Sequence, residues 1–196
     1  MCGRFTNNLT WDEIVRLYRL RMKAPPHNLP PRYNICPTDP VDVVTERDGS
    51  RYFVRMRWGL VPSWWSKPLK DVKAATFNAR AETVAEKPFF RDAFRRTRCL
   101  IPASGYFEWR HTATGKQPWY FTRADGEPMT FAGLWDEWKD KATGEVIRSI
   151  RQHFPYFNAS GSRYLSTNKR GAPSPCWPNG FRSPPRRRSG RHARSR

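Results

Sequence analysis

Cys2 is the residue of this chain best placed by its type and position to do covalent chemistry. A small second residue permits removal of the initiator methionine, which would leave cysteine at the amino terminus. Such a residue carries two nucleophiles on adjacent carbons: an α-amine with a pKa of about 7.7–8.0 and a thiol near about 8.5. An aldehyde condenses with the amine to a Schiff base. The thiol then closes on the imine carbon to give a five-membered thiazolidine, which no internal cysteine can form. Taken alone, Cys2 is better read as a small residue at a frayed terminus.

Other segments offer supporting chemistry. Gly105-Tyr106-Phe107-Glu108-Trp109 sets a carboxylate among aromatic residues. In apolar surroundings a glutamate can trade a proton near neutrality, although the alternation of Tyr106 and Glu108 with Phe107 and Trp109 also allows an outward-facing acid. Phe77-Asn78-Ala79-Arg80-Ala81-Glu82 supplies a neutral amide, an arginine suited to phosphate and an acid; any polar loop could look the same. Asn34, after Arg32-Tyr33, is open in the same way.

Arg57-Trp58-Gly59-Leu60-Val61-Pro62-Ser63-Trp64-Trp65 joins three tryptophans to a basic residue. Exposed aromatics beside arginine suit single-stranded nucleic acid, whose bases stack on rings. The alternative makes Trp58 and Trp64 core residues and leaves only Trp65 exposed. Metal chemistry is not indicated. Cys2, Cys36, Cys99 and Cys176 form no Cys-x-x-Cys pair, and His27, His111, His153 and His192 form no His-x-x-x-His pair. Gly-rich phosphate loops and Gly-x-Ser-x-Gly are absent as well.

Several elements must position these residues. Thr10-Trp11-Asp12-Glu13 is a capping box, and Ile14, Leu17, Tyr18 and Arg21 at helical spacing predict a helix over about 11–22. Pro25, Pro26, Pro30 and Pro31 end it in an extended segment. Val41–Glu46 and Arg51–Trp58 are expected to pair through an Asp48-Gly49 hairpin turn. A short helix is predicted over Phe89–Arg96. Strands are predicted over Arg98–Ile101, Tyr106–Arg110, Trp119–Arg123, Met129–Trp135 and Glu145–Ile150, with Thr114-Gly115, Asp125-Gly126 and Thr143-Gly144 as turns. This is an α+β domain with a mostly antiparallel sheet.

Charge and composition bound the partners. The 196 residues include 36 Lys or Arg against 17 Asp or Glu, a net charge of +19, which points to a polyanion. Residues 146–196 hold 12 of the basic residues and none of the acids, so the nucleic-acid argument rests on the less basic body. No apolar run approaches the roughly 18 residues of a membrane span. The first residues are polar and lack a signal-peptide core, so a cytoplasmic, reducing location with reduced cysteines is expected. Beyond about Ile150 the periodicity lapses into Arg, Pro and Ser. That composition fits a disordered basic tail and equally a stretch translated in a shifted frame.

Six ordered segments together resemble the SOS response-associated peptidase (SRAP) family of abasic-site processing proteins. They are Met1-Cys2-Gly3-Arg4-Phe5, Arg32-Tyr33-Asn34-Ile35-Cys36-Pro37, Trp58 to Trp65, Phe77 to Thr83, Cys99 to Trp109 and Phe131-Ala132-Gly133-Leu134-Trp135. The resemblance divides the chain into an incomplete SRAP-like domain over 1–150 and a basic tail over 151–196. It implies a barrel-like antiparallel β core with short flanking helices. It further implies capture of the abasic-site aldehyde in single-stranded DNA by a mature N-terminal Cys2, after autoproteolytic removal of Met1. By the same resemblance Asn78 would orient the cysteine and the sugar, and Glu108 would serve as general acid and base. Arg4, Asn34 and Arg80 would hold the DNA backbone and the Cys2 region. Trp64, Trp65 and Pro37 would contact flanking nucleotides. No metal or organic cofactor is implied, a DNA-associated cytoplasmic protein is, and a monomer is expected.

One departure stands out. The family continues the strand near Glu145–Ile150 into a Thr-rich stretch and later supplies a catalytic histidine in a His-x-Arg-Met-Pro segment, which is missing here. His153, in Gln152-His153-Phe154-Pro155, lies too early and in another context. The expected consequence is a sheet lacking closing strands, with open edges, marginal stability and slower capture and release. Two rivals follow: a non-covalent single-strand binding module, and an inactive truncated family member.

Overall fold

The capping box forms. In the computed structural model, which describes residues 3–72, 77–154 and 164–168 (of 79–82, 153, 154 and 164–168 the backbone alone), helix α1 spans Trp11–Tyr18. The Glu13 amide donates to Thr10 Oγ1 at 3.3 Å, and the Thr10 amide donates to Glu13 Oε2 at 2.8 Å. The helix ends before the expected residue 22, because Arg19 takes a left-handed backbone with φ 51°. That turn carries Leu20 into the cluster of Leu9, Ile14, Tyr18, Val44 and Phe53. Continued helix would have brought Arg21 to the face of Ile14 and Tyr18 instead.

Strands β1 (Arg4–Asn7), β2 (Arg32–Ile35), β3 (Pro40–Arg47) and β4 (Ser50–Trp58) come next. Asp48 and Gly49, at φ 53° and 70°, make the two-residue turn between β3 and β4 whose twist suits a hairpin. Both faces of β4 are covered. Met56 and Trp58 join the main core, whereas Phe53 packs with α1 on the other side. A short 3-10 turn (Leu69–Asp71), β5 (Asn78–Arg80), α2 (Ala81–Val84) and α3 (Arg91–Arg96) follow. The remaining strands are β6 (Arg98–Ala103), β7 (Gly105–Thr112), β8 (Gly115–Arg123), β9 (Met129–Lys139), β10 (Val146–Phe154) and β11 (Tyr164–Asn168).

Five strands close a barrel. The order β4–β3–β6–β9–β10 returns to β4 through a parallel pairing that sets Ser149 beside Arg57 and Ile150 beside Trp58. β5 adds to β10 in parallel, with Asn78 beside Gln152. A second sheet, β11–β8–β7–β1–β2, lays Phe5, Ile35, Tyr106, Trp119 and Phe121 onto the barrel core of Val43, Trp58, Ile101, Phe131 and Ile150. Gly133 permits the close approach of β6 to β9 and β10: a Cβ there would lie 2.7 Å from Cys99 Sγ. α3 seals a third cluster of Leu60, Val84, Phe90, Ala93 and Leu134.

Two pairings bear on the expected sheet edge and tail. The barrel has its closing strand, because Ser149 and Ile150 of β10 pair in parallel with Arg57 and Trp58 of β4, and the four residues that β10 runs past Ile150 add β5. Part of the expected irregular tail, Tyr164–Asn168, pairs antiparallel with β8. Ladder hydrogen bonds need no side-chain periodicity, so neither pairing shows in the sequence pattern. The rest of the tail lies outside the described residues. The extension of β10 buries Arg151, 7% exposed, and Gln152, 0% exposed.

Candidate active-site cleft

β1 runs between β2 and β7, and this central place assembles the cleft. The register sets Arg4 beside Phe107 and Phe5 beside Tyr106. Phe5 and Tyr106 therefore face the core, while Arg4 leaves the opposite face with Phe107 and Trp109. Gly105 allows this pairing: a Cβ there would lie 2.4 Å from the Tyr120 ring. Thr6 fastens the same point, its hydroxyl donating to the Gly105 carbonyl at 3.2 Å and lying 2.7 Å from the Tyr120 hydroxyl.

The resulting open cleft has a volume of about 780 Å³. Arg4 and Asn34 form one wall, joined by a bond from Arg4 Nη1 to Asn34 Oδ1 at 2.8 Å. The Arg4 guanidinium lies 5.8 Å from the centre of the Trp109 ring, within range of a cation–π contact. Phe107 braces this wall, 6.4 Å from Trp109 and 4.8 Å from Tyr120 between ring centres. Glu108 lines the same cleft, half-buried, opposite the buried Trp119 in the β7–β8 register. Neither the fully outward acid nor a core carboxylate describes it.

The other expected site residues sit on different elements. Asn78 is buried in β5, following Phe77, whose carbonyl accepts from Trp58 Nε1 and from the Gln152 amide, each at 3.0 Å. The backbone of Arg80 pairs with Phe154. Cys2 lies outside the described residues. Pro37 is half-buried in the turn between β2 and β3, where Asp39 Oδ2 accepts from the Cys36 amide at 2.9 Å. Cys36 keeps a partly exposed thiol 3.7 Å from the Asn34 carbonyl. Cys99, by contrast, is fully buried, and burial drives its thiol far above the ordinary range, which removes it as a nucleophile.

The tryptophan-rich segment divides differently from either expectation. Trp58 is core at 0% exposure, Trp64 is 53% exposed and Trp65 is half-buried. Trp64 and Trp65 both lean on Phe89, at 5.7 and 6.0 Å between ring centres, and the Trp65 carbonyl accepts from Trp138 Nε1 at 2.7 Å. The α2–α3 connection thus supplies the ring that props Trp64 outward.

Tyr33, Trp109, His111 and Lys116 also line the cleft and were not singled out from sequence. The available signal was strand alternation: Trp109 and His111 share the face of Phe107, the face that Arg4 joins only once the β1–β7 register is known. Among the described residues no three His, Cys, Asp or Glu side chains come together to hold a metal. Nor is any described helix long and apolar enough to cross a membrane.

The fold and cleft define a family. The chain belongs to the SOS response associated peptidase (SRAP) family, whose model matches residues 1–151. The abasic site processing protein YoqW of Bacillus subtilis is 33% identical over 141 residues, covering 70% of this chain and 61% of the relative. The abasic site processing protein YedK of Escherichia coli is 33% identical over 153 residues, covering 75% and 66%. A crystal structure of a protein from Bacteroides thetaiotaomicron superposes with a TM-score of 0.70 at 28% identity, covering 78% of this chain and 67% of that one. The chain therefore spans somewhat less than two thirds of the length of these two curated relatives.

Proposed function

We propose that this chain processes abasic sites in DNA by capturing the ring-opened aldehyde in single-stranded DNA through an N-terminal Cys2. The supporting observation is the meeting of Arg4, Asn34 and Glu108 in one cleft at the start of β1. Cys2 precedes Arg4 by two residues, a chain distance of at most about 7 Å. The names of the matched relatives support the substrate class.

In this scheme autoproteolysis removes Met1. The abasic deoxyribose is a hemiacetal in its closed form. Glu108 takes the proton of the anomeric hydroxyl as the ring C–O bond breaks and returns a proton to the ring oxygen, freeing the aldehyde. The α-amine of Cys2 adds to the aldehyde carbon, and the carbinolamine loses water to give an imine. The Cys2 sulfur then adds to the imine carbon and its proton passes to nitrogen. One C–N and one C–S bond form, one water leaves, and no oxidant is needed. Asn78 orients the reacting groups, and Arg4 and Arg80 hold the flanking phosphates. Pro37, Trp64 and Trp65 bear on neighbouring nucleotides. Residues 1–150 form the working SRAP-like domain. Without the family's His-x-Arg-Met-Pro histidine, capture and reversal run more slowly.

The exposed Trp64 favours one rival, a module that binds single strands without chemistry. A denaturing gel separates the two. The parent protein with an abasic single strand should give a heat-stable shifted band that Cys2→Ala lacks, while Cys2→Ala still binds under native conditions. Binding without any such band in the folded parent with Met1 removed would leave the non-covalent module.

A further inference from the structure

We infer that the wall of the cleft formed by Tyr33 and the β7–β8 hairpin is the seat for one flank of the DNA strand. This inference rests on the reading above. Tyr33 is 64% exposed, an unusual state for a large aromatic side chain, and it lines the cleft with Trp109. Trp109 already carries the Arg4 guanidinium at 5.8 Å, so Tyr33 is the ring available for a base. His111 and Lys116 face each other in register across β7 and β8 and line the same cleft. Both are exposed, and neither makes an ion pair among the described residues.

The charge pattern sets the direction of the strand. The charged side chains in the cleft are Arg4, Glu108 and Lys116, with His111 cationic when protonated. Glu108 repels a phosphate at the inner end, and Lys116 attracts one toward the hairpin tip. The reacting sugar thus sits at Glu108, the next base lies on Tyr33, and the following phosphate reaches Lys116. An aromatic ring beside a cation is the arrangement that holds a single strand without reading its sequence. Trp64, leaning on Phe89, is a second exposed ring on other elements.

The test uses labelled single strands with a central tetrahydrofuran in place of the lesion; these carry no aldehyde and bind only non-covalently. By anisotropy, Tyr33→Ala should weaken binding about fivefold or more, and Lys116→Ala should lower the slope of log affinity against log salt by about 0.7. Shortening the strand on one side of the lesion should erase both effects, and shortening it on the other should not. Parent-like binding by both variants would overturn the inference. So would effects that persist equally whichever flank is removed. Capture of glycolaldehyde by the N-terminal aminothiol, read by intact mass, separates the two proposals. Its absence in the parent would sink the covalent function while the anisotropy result stands, and parent-like urea midpoints and slopes in both variants show that they remain folded.

Discussion

Replacing Gln152 by methionine should make this protein more stable. Gln152 lies in β10, 0% exposed, and neither its amide nitrogen nor its amide oxygen has a partner among the described residues. Its backbone is satisfied, donating to the Phe77 carbonyl at 3.0 Å, so the substitution leaves the ladder untouched. An unsatisfied buried polar group costs about 1–3 kcal/mol. Methionine has nearly the same length, is also unbranched and adapts to irregular space. The expected gain is therefore about 1–3 kcal/mol. At a urea slope of about 2 kcal/mol/M, the unfolding midpoint rises by about 0.5–1.5 M with the slope unchanged. An equal or lower midpoint at the same slope would refute the reasoning, showing that the amide is satisfied in the native protein and that the end of β10 is not a weak point.

Other consequences concern the same packing. Arg151 is 7% exposed beneath Phe90, its guanidinium 3.6 Å from the ring centre, and burial lowers its pKa to about 10. Against an ordinary value of about 12.5, that is roughly 3 kcal/mol against the charged form, partly offset by about 2 kcal/mol of cation–π attraction. Arg151→Met should thus stabilise by about 1 kcal/mol at pH 7, measured by urea melts. Tyr18 is buried with its hydroxyl 2.7 Å from that of Thr130, and burial pushes its pKa up to about 12. Between about pH 10 and 12 the folded state holds the Tyr18 proton more tightly than the unfolded chain and the Arg151 proton less tightly. The tyrosine therefore lowers stability as pH rises and the arginine raises it. Melts across that window should fall more steeply for Arg151→Met than for the parent and rise for Tyr18→Phe; the same profile in both variants would contradict these environments. Gly133→Ala should destabilise by about 1–3 kcal/mol through overpacking against Cys99, read as a lower urea midpoint.

Much of the frame was legible because its signals are local. The Thr10–Glu13 box and the Asp48-Gly49 turn each specify a conformation within four residues, and both form. β6, β7 and β9 announce themselves by alternation and length. β1, β2 and β5 hold only three or four residues each, too few for a period to appear, and their neighbours stabilise them. The barrel closure joins Trp58 to Ile150 across nearly half of the chain, and no local pattern encodes that contact. The site divides along the same line. Arg4, Asn34 and Glu108 were named from the family resemblance, and the β2–β1–β7 order brings them to one cleft. Tyr33 and Lys116 carry no local signal, because exposure at the rim of a cleft is a property of the assembled sheet. Trp64 stands outward because it leans on Phe89, 25 positions later, and no local pattern encodes that contact.

The central claim is that the aminothiol of Cys2 closes on an abasic aldehyde. Intact mass of the adduct between the purified protein and an abasic single strand, followed by mapping of the modified peptide, tests it most directly. The account predicts a mass equal to the Met1-free protein plus the strand less one water, with the modification on the N-terminal peptide and no reductant needed. An adduct that forms only with borohydride, maps to an internal lysine or survives in Cys2→Ala would contradict it.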